Sequence, residues 1–391
     1  MERIILHCDL NNFFASVSLV YNPTLKNLPV AVCGDKENRH GIVLAKNEIA
    51  KKYGIKTAEP IFEAQRKCAS LVILPPIMDK YIEYSNLAHS IYQRYTDMIE
   101  PFGIDECWLD VTGSRVLFGD GERIAHLIRE SVKKELGITV SVGVSFNKVF
   151  AKLGSDMKKP DAVTVISREN FKEKIWPLPL SDMLFVGRKT YEKLKRCGIN
   201  TIGDITYCDD ATLKRLLGKN GIELKNYALG KDNSPVVTPT DSDKPKSVGR
   251  STTKSKDFCD NTEVWKAFLS FSEIICETLR QKKMYAAGVQ VHIRTASLKI
   301  REFSRSFEPA TNCALTLARR GFELFCENYS FGEPLRSVGI RAINLKSDIL
   351  ADQIDLFGIA QRNLQLERVE DSIYSVRERF GRKSIKRATN I

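Results

Sequence analysis

The chain has 391 residues, with 60 Lys and Arg against 48 Asp and Glu, a formal net charge of +12. With 43% hydrophobic and 9% aromatic residues it is neither a disordered nor a fibrous sequence, and its length points to about two to four domains. No apolar run approaches the roughly 18 residues of a membrane span or the core of an export signal, and the ten cysteines are scattered singly without CxxC spacing, so a cytoplasmic protein with reduced packing thiols is expected, and a membrane partner is not.

In chain order, Arg3–Asp9 (RIILHCD) is a short apolar strand ending in a carboxylate. Residues from about 19 to 76 read as an insertion with its own small helices. Met98–Gly113 reads as two strands joined by a tight turn near Phe102–Gly103. In Glu122–Leu136 the residues Ile124, Leu127, Ile128, Val132 and Leu136 share one stripe, which is helical periodicity. Thr139–Ser145 follows as a strand and Asn147–Met157 as a short helix, and the order predicts a helix-covered antiparallel sheet of ferredoxin-like type. Beyond Lys159–Pro160, residues 167–235 read as short helices punctuated by glycines, and 236–246 as an exposed linker. Residues 247–346 alternate strand and helix again, with Ala286–Thr295 and Leu335–Leu345 the clearest strands. The last 45 residues read as a polar tail with one amphipathic helix through Val369, Ile373, Val376 and Phe380.

The charge is unevenly divided. Residues 1–166 carry 21 basic and 20 acidic side chains, a net of +1, whereas residues 167–391 carry 39 and 28, a net of +11. A near-neutral front and a basic back suggest chemistry at one end and a grip on a polyanion at the other, although a solubilising surface would give the same total.

Asp9 closes the first strand, and Asp105–Glu106 opens the second strand of the hairpin. Adjacent strand residues point to opposite faces, so Asp105 and Glu106 share one site only if the turn twists them. Carboxylates gathered at a sheet edge repel one another unless cations lie between them. Hard divalent ions such as Mg²⁺ take carboxylate oxygens together with substrate phosphates. Taken alone, an Asp–Glu pair is more often an ordinary pair of turn and strand-end acids.

Three motifs change that balance. His7–Val17 (HCDLNNFFASV), Phe102–Thr112 (FGIDECWLDVT) and Val142–Pro160 (VGVSFNKVFAKLGSDMKKP), in this order and spacing, resemble the palm motifs of the Y-family, translesion DNA polymerases, in their bacterial branch. The resemblance runs from residue 1 to about 346 and implies an α+β multidomain, right-hand polymerase. Its parts would be a ferredoxin-like palm (1–18 and 77–166), small fingers (19–76), a helical thumb with a helix-hairpin-helix (167–235), a linker (236–246), an α/β little finger (247–346) and a C-terminal tail (347–391).

The resemblance also implies a site. Asp9, Asp105 and Glu106 would be the catalytic metal ligands, with the backbone carbonyl of Leu10 completing the shell around two Mg²⁺ ions, Mn²⁺ being a substitute. One ion would acidify the primer 3′-hydroxyl and the other bridge the triphosphate and the departing pyrophosphate, with no separate protein general base. Phe14 falls at the steric-gate position beneath the sugar, and the amides of Asn12, Phe13 and Phe14 where the dNTP triphosphate is cradled. Lys159 matches the phosphate-binding lysine. Leu44–Lys56 matches the fingers helix, but with Ala45, Glu48 and Lys51 where many relatives have Thr, Tyr and Arg. Lys51 still supplies charge, though not a bidentate fork, and Lys46 is the substitute for the missing tyrosine contact. These departures resemble the UmuC-like branch more than the polymerase IV branch.

Leu184–Ile205 resembles a helix-hairpin-helix in which Gly187, Arg188 and Lys189 would hold phosphate without reading bases. Lys244–Lys256 has five basic residues and no acid, and Arg280–Arg305 has seven against the single Glu302. Arg250, Lys254, Arg294, Lys299 and Arg301 are therefore expected to grip a duplex backbone in a salt-sensitive way. Gln353–Gly358 (QIDLFG) resembles the sliding-clamp-binding peptide of bacterial polymerases, with Gln353, Leu356 and Phe357 as anchors. The basic helix after it would lie on DNA, on a partner or on its own domain.

The resulting reading is a template-directed, error-prone translesion polymerase of the bacterial cytoplasm. It would add dNTPs to a primer 3′-hydroxyl without proofreading, as a mutator in DNA repair and the SOS response. Its partners would be primer–template DNA, dNTP, the sliding clamp and accessory mutagenesis subunits. Two rivals are a catalytically silent DNA-binding subunit of a mutagenesis complex and another two-metal palm enzyme such as a nucleotidyl cyclase. The second would need neither the basic thumb and little finger nor a clamp peptide.

Overall fold

The computed structural model describes residues 2–35, 41–238, 245–347, 359–381 and 384–385, with 359–367 described by backbone alone. The chain divides into two compact bodies near residue 240.

In the first body β1 (Ile5–Leu10) runs into α1 (Phe13–Tyr21). The short strands β2 (Val30–Cys33) and β3 (Val43–Lys46), the helices α2 (Glu48–Lys52) and α3 (Ile61–Lys67), and β4 (Val72–Leu74) follow. The three strands form their own sheet, in the order β3-β2-β4, over a small core of Ala31, Cys33, Val43, Ala50, Ile61 and Ala64. The insertion has the small helices expected of it and, beneath them, a sheet not anticipated from the sequence. Strands of three and four residues are too short for the alternation of a half-buried strand to register in sequence.

The chain continues through α4 (Met78–Tyr92), β5 (Ile99–Pro101), β6 (Glu106–Asp110), α5 (Arg115–Phe118), α6 (Gly121–Leu136), β7 (Val140–Ser145), α7 (Lys148–Met157) and β8 (Val163–Ile166). A five-stranded sheet in the order β5-β6-β1-β7-β8 results, antiparallel except for β7 with β8. Helix α6 starts where Asp120 accepts the Arg123 amide at 2.8 Å and stops at Gly137, whose φ of 68° suits a C-cap. β1 is central and wholly buried. Its Leu6, Cys8 and Leu10 join Phe13, Val17 and Ile124 in the core on one side of the sheet. Ile5, His7 and Asp9 face the other side, beneath α7.

That helix lies unusually close to the sheet. A Cβ on Gly143 of β7 would fall 1.8 Å from the Ala151 carbonyl, and one on Gly154 of α7 would fall 3.1 Å from the Gly143 Cα. At Gly143 only glycine permits the approach, and at Gly154 a side chain would crowd it by a few tenths of an ångström.

The body ends in helices α8 (Phe171–Ile175), α9 (Arg188–Lys195), α10 (Asp204–Tyr207), α11 (Asp210–Leu217) and α12 (Lys219–Ala228), which share a core with Phe146, Phe150 and Leu153. The segment expected as an exposed linker begins docked. Val236 is 2% exposed against Ile5, Trp108 and Ala151, and the Val237 amide donates to Glu100 at 2.8 Å. Residues 239–244 lie outside the described residues.

The second body is a four-stranded antiparallel sheet of β9 (Val248–Phe258), β10 (Tyr285–Thr295), β11 (Ile300–Thr311) and β12 (Leu335–Lys346), in the order β11-β10-β12-β9. Helices α13 (Asn261–Gln281) and α14 (Ala314–Asn328) pack on one face through Phe268, Ile275, Leu317 and Phe325 against Val289, Val291, Val338 and Ile340. Helix α15 (Ile359–Phe380) is attached by polar contacts. Arg280 pairs with Asp371 at 2.9 Å and Arg377 with Glu273 at 3.2 Å, while Val369 and Phe380 of the apolar stripe stay exposed. Among the described residues no helix is long and apolar enough to cross a membrane.

Candidate active site

Asp9 and Glu106 are direct partners on the antiparallel ladder of β1 and β6, so their side chains share the face beneath α7. Asp105 precedes β6 in the bend of the hairpin, its carbonyl accepting the Leu10 amide at 3.0 Å. The strict alternation that would have sent Asp105 and Glu106 to opposite faces therefore does not apply.

Helix α7 places a lysine against each acid in turn. Lys148 bonds Glu100 at 2.6 Å, Lys152 bonds Glu106, and Lys159, just past the helix, bonds Asp9 at 2.6 Å and Asp156 at 2.8 Å. Positions 148, 152 and 159 recur at helical spacing, and the glycine contact with β7 brings that face within reach of the sheet.

The local fields differ from acid to acid. Burial pushes the Asp9 carboxyl up to about 6, with Lys159 only partly opposing it. Burial and the neighbouring Glu106 raise Asp105 as well. For Glu106 burial is outweighed by the His7 and Lys152 contacts, which hold it at about 2. His7 is fully buried, bonded through Nδ1 to the Ser155 hydroxyl at 2.8 Å, with Nε2 3.3 Å from Glu106. Ser155 in turn donates to the Lys152 carbonyl at 2.7 Å. Asn11 ties three strand ends together: Nδ2 donates to Ser141 at 2.9 Å, and Oδ1 accepts from Thr139 at 3.0 Å and from the Asp161 amide at 2.8 Å. It thereby fixes the loop that carries Lys159. Lys148, Lys152, His7, Ser155 and Asn11 were not singled out in the sequence. For the lysines a signal existed in the spacing 148, 152, 159.

Among the described residues no three His, Cys, Asp or Glu side chains already converge as a metal site. The ammonium groups on Asp9 and Glu106 are stand-in cations, and the donors available, carboxylates and the Leu10 carbonyl, are all oxygen, the chemistry of a hard divalent ion. The residues fit such an ion provided Lys159 releases Asp9.

The aromatic pair divides its duties. Phe13 is 2% exposed in the core, whereas Phe14 is half-buried and stacked on Tyr81, with centroids 4.2 Å apart and planes 8° apart. Asn12 opens α1 in the left-handed region at φ 49° and donates to Glu48 at 2.8 Å. Lys46 donates to Thr57 at 3.0 Å, and Lys51 lies 3.7 Å from Glu48.

The residues expected on DNA are less uniformly placed. Gly187 caps α9 with open space around it, Arg188 is exposed but paired with Glu192 at 2.8 Å, and Lys189 is exposed. In the second body Arg294 pairs with Ser337 across β10 and β12, on the face away from the helices. Arg301 is opposite Ile293 and Arg250 opposite Ile340, on the helix side. Lys254 reaches Glu263 of α13 and lies over Phe258, also on that side. Lys299 is exposed in the β10–β11 turn. The register thus separates Arg294 from Arg250, Lys254 and Arg301, which the sequence had put together. Gln353, Leu356 and Phe357 lie outside the described residues.

A ferredoxin-like sheet with opposed acids on its central strands, joined to small fingers, a helical thumb and a separate α/β body, is the architecture of a right-hand polymerase. A solved Y-family DNA polymerase chimera matches it with a TM-score of 0.76 and 26% identity, covering 88% of this chain and 100% of the chimera. Residues 8–156 match the impB/mucB/samB family, and residues 245–356 match that family's C-terminal domain. DNA polymerase IV of Acetivibrio thermocellus is 46% identical over 388 residues, 99% of this chain and 97% of the relative. DNA polymerase IV 1 of Bacillus subtilis is 35% identical over 395 residues, 100% of this chain and 94% of the relative. The chain belongs to the Y-family DNA polymerases, in their polymerase IV-like group. The leaning toward the UmuC-like branch is corrected by these matches: it rested on three side chains at positions 45, 48 and 51, whereas these relatives are polymerase IV enzymes matched over nearly their whole length.

Proposed function

We infer that the protein is a DNA-directed DNA polymerase of the translesion type, which adds dNTPs to a primer 3′-hydroxyl on a DNA template. The observation that carries this reading is the pairing of Asp9 with Glu106 on adjacent strands, each countered by an ammonium from α7 or the loop just past it.

In this reading Asp9, Asp105, Glu106 and the Leu10 carbonyl would hold two divalent ions, Mg²⁺ or Mn²⁺. When bound, the ions supply acidification of the primer hydroxyl and charge neutralisation at the triphosphate. The chain's own residues do the rest. The amides opening α1 at Asn12, Phe13 and Phe14, a terminus with no side-chain cap, receive phosphate oxygens, as helix N-termini do. Lys159, Lys51 and Lys46 add charge. Phe14, braced by Tyr81, lies beneath the sugar and excludes a 2′-hydroxyl by collision. The Asn11 and Ser155 bonds hold Lys159 and His7 in register with the acids.

Gly187, Arg188, Lys189, Arg294 and Lys299 are proposed to meet the DNA backbone, and Arg250, Lys254 and Arg301 to act there only from the edges of their sheet. Gln353, Leu356 and Phe357 are proposed to anchor a sliding clamp. Accessory mutagenesis subunits, a mutator role in the SOS response and a cytoplasmic site of action complete the proposal. So does the division into palm (1–18, 77–166), fingers (19–76), thumb (167–235) and little finger (247–346).

Primer extension with Mg²⁺ by the wild type and by Asp105→Ala tests the reading. Extension is expected from the first and not from the second. Equal extension by both would remove the acids from the chemistry, and none by either would favour a silent DNA-binding subunit.

A further inference from the structure

Glu48 is the first residue of α2, where an acid suits its own helix terminus. Its carboxylate nevertheless reaches a residue 36 positions away, accepting from Asn12 Nδ2 at 2.8 Å. The same carboxylate is 3.7 Å from Lys51 Nζ, and Lys46 lies in the joint field of Glu48 and Lys51. Asn12 opens the nine-residue α1, whose first turn contains no acid. One carboxylate therefore meets Asn12 and Lys51 and lies in the field of Lys46, three of the groups assigned above to the triphosphate.

We propose that Glu48 is an internal anion occupying the triphosphate cradle, a competitor that an incoming nucleotide must displace. This rests on the triphosphate reading given under the proposed function. Its carboxylate satisfies Asn12 and Lys51 while no nucleotide is bound, and repels a polyphosphate approaching the same groups. The consequence is a nucleotide KM set higher than the lysines alone would give, so that synthesis rises with nucleotide concentration over a wider range. Because the carboxylate is partly exposed, the effect is moderate and salt-sensitive.

The experiment is steady-state primer extension by the full-length protein, titrating one dNTP with Mg²⁺ at fixed primer–template. Glu48→Gln keeps an acceptor for Asn12 and removes the charge, whereas Glu48→Ala removes both. In both variants KM for dNTP should fall about three- to tenfold, and the gap to wild type should narrow with added NaCl. Thermal melting verifies that both variants are folded. Wild-type KM in Glu48→Gln with a raised KM in Glu48→Ala would make Glu48 a positioning residue for Asn12 and overturn the proposal, as would an unchanged KM in both. If the wild type extends no primer, the triphosphate reading falls and the proposal falls with it; extension with an unmoved KM sinks only the competitor.

Discussion

The substitution Asp9→Asn should stabilise the metal-free protein while abolishing synthesis. The Asp9 carboxyl is 5% exposed and moves from its usual 3.8 to about 6, which corresponds to about 3 kcal/mol against the charged form. The folded state therefore binds a proton more readily than the unfolded chain. The stability this group contributes is fully present below about pH 4, and it is lost as pH rises through about 6. The amide of the variant carries no charge to desolvate, so at pH 8 it should be more stable than wild type by up to about 3 kcal/mol, and the two should converge as pH falls toward 4. For a body of this size that is roughly 5–10 °C in melting temperature. The assay is thermal melting in EDTA from about pH 4.5 to 8.5, beside primer extension and a Mg²⁺ titration of the melting temperature, which should raise the wild type only. A variant less stable than wild type at pH 8 would refute the reasoning, because it would mean that the bond to Lys159 outweighs the desolvation of the acid.

Three further outcomes are expected. Phe14→Ala removes the ring stacked on Tyr81 and should raise ribonucleotide incorporation, read by primer extension with NTPs against dNTPs; an unchanged ratio would place the gate elsewhere. Gly143→Ala drives a methyl into the Ala151 carbonyl and should cost about 3 kcal/mol or more in denaturant unfolding, with loss of synthesis as Lys152 and Lys159 are pushed off the acids. Deleting residues 353–357 should leave synthesis without the clamp intact and abolish its stimulation by the clamp, measured on a long primed template.

Much of the palm was legible because its strands and helices carry their periods openly. Glu122–Leu136 and Thr139–Ser145 appear within a residue or two as α6 and β7, and the hairpin turns where Phe102–Gly103 predicted. The acids were legible only by motif. That Asp9 faces Glu106 is a statement of register, fixed by the pairing of β1 with β6 over five residue pairs that no local pattern encodes. The alternation rule did not bear on Asp105, because it assumes a strand and the strand starts one residue later. Register also explains the basic residues of the second body. Period two was the right rule for β10 and β11, but Arg294 and Arg301 lie on different strands, and their relative parity depends on the Ile293 to Arg301 pairing across the turn. The small sheet of β2, β3 and β4 escaped because short apolar runs fit helix and strand equally well. In α15 the apolar stripe was real, but Glu370, Asp371 and Arg377 make the attachment through a thiol contact and two ion pairs, and such polar contacts have no hydrophobic signature.

The near-neutral charge of the first 166 residues now has a structural meaning. It does not reflect a scarcity of charge, since 21 basic and 20 acidic side chains are present; along the site it reflects pairing, with Lys148, Lys152 and Lys159 set against Glu100, Glu106 and Asp9. Pairs this buried add little to stability, since desolvation offsets most of the Coulomb gain, and the raised Asp9 carboxyl shows the balance tipping against the charge. Such an arrangement is better suited to exchange than to permanence. Asp9 and a nucleotide phosphate are rival anions for the single ammonium of Lys159, so on the proposed reading Lys159 is free for the nucleotide only when Asp9 is neutralised by another cation. Glu48 sets the same condition on the fingers side, where a carboxylate must leave before a phosphate enters. On the proposed reading, a site filled on both sides by its own counter-charges would be protected against collapse while empty, and a preference for a metal–triphosphate pair would follow from the need to displace both at once.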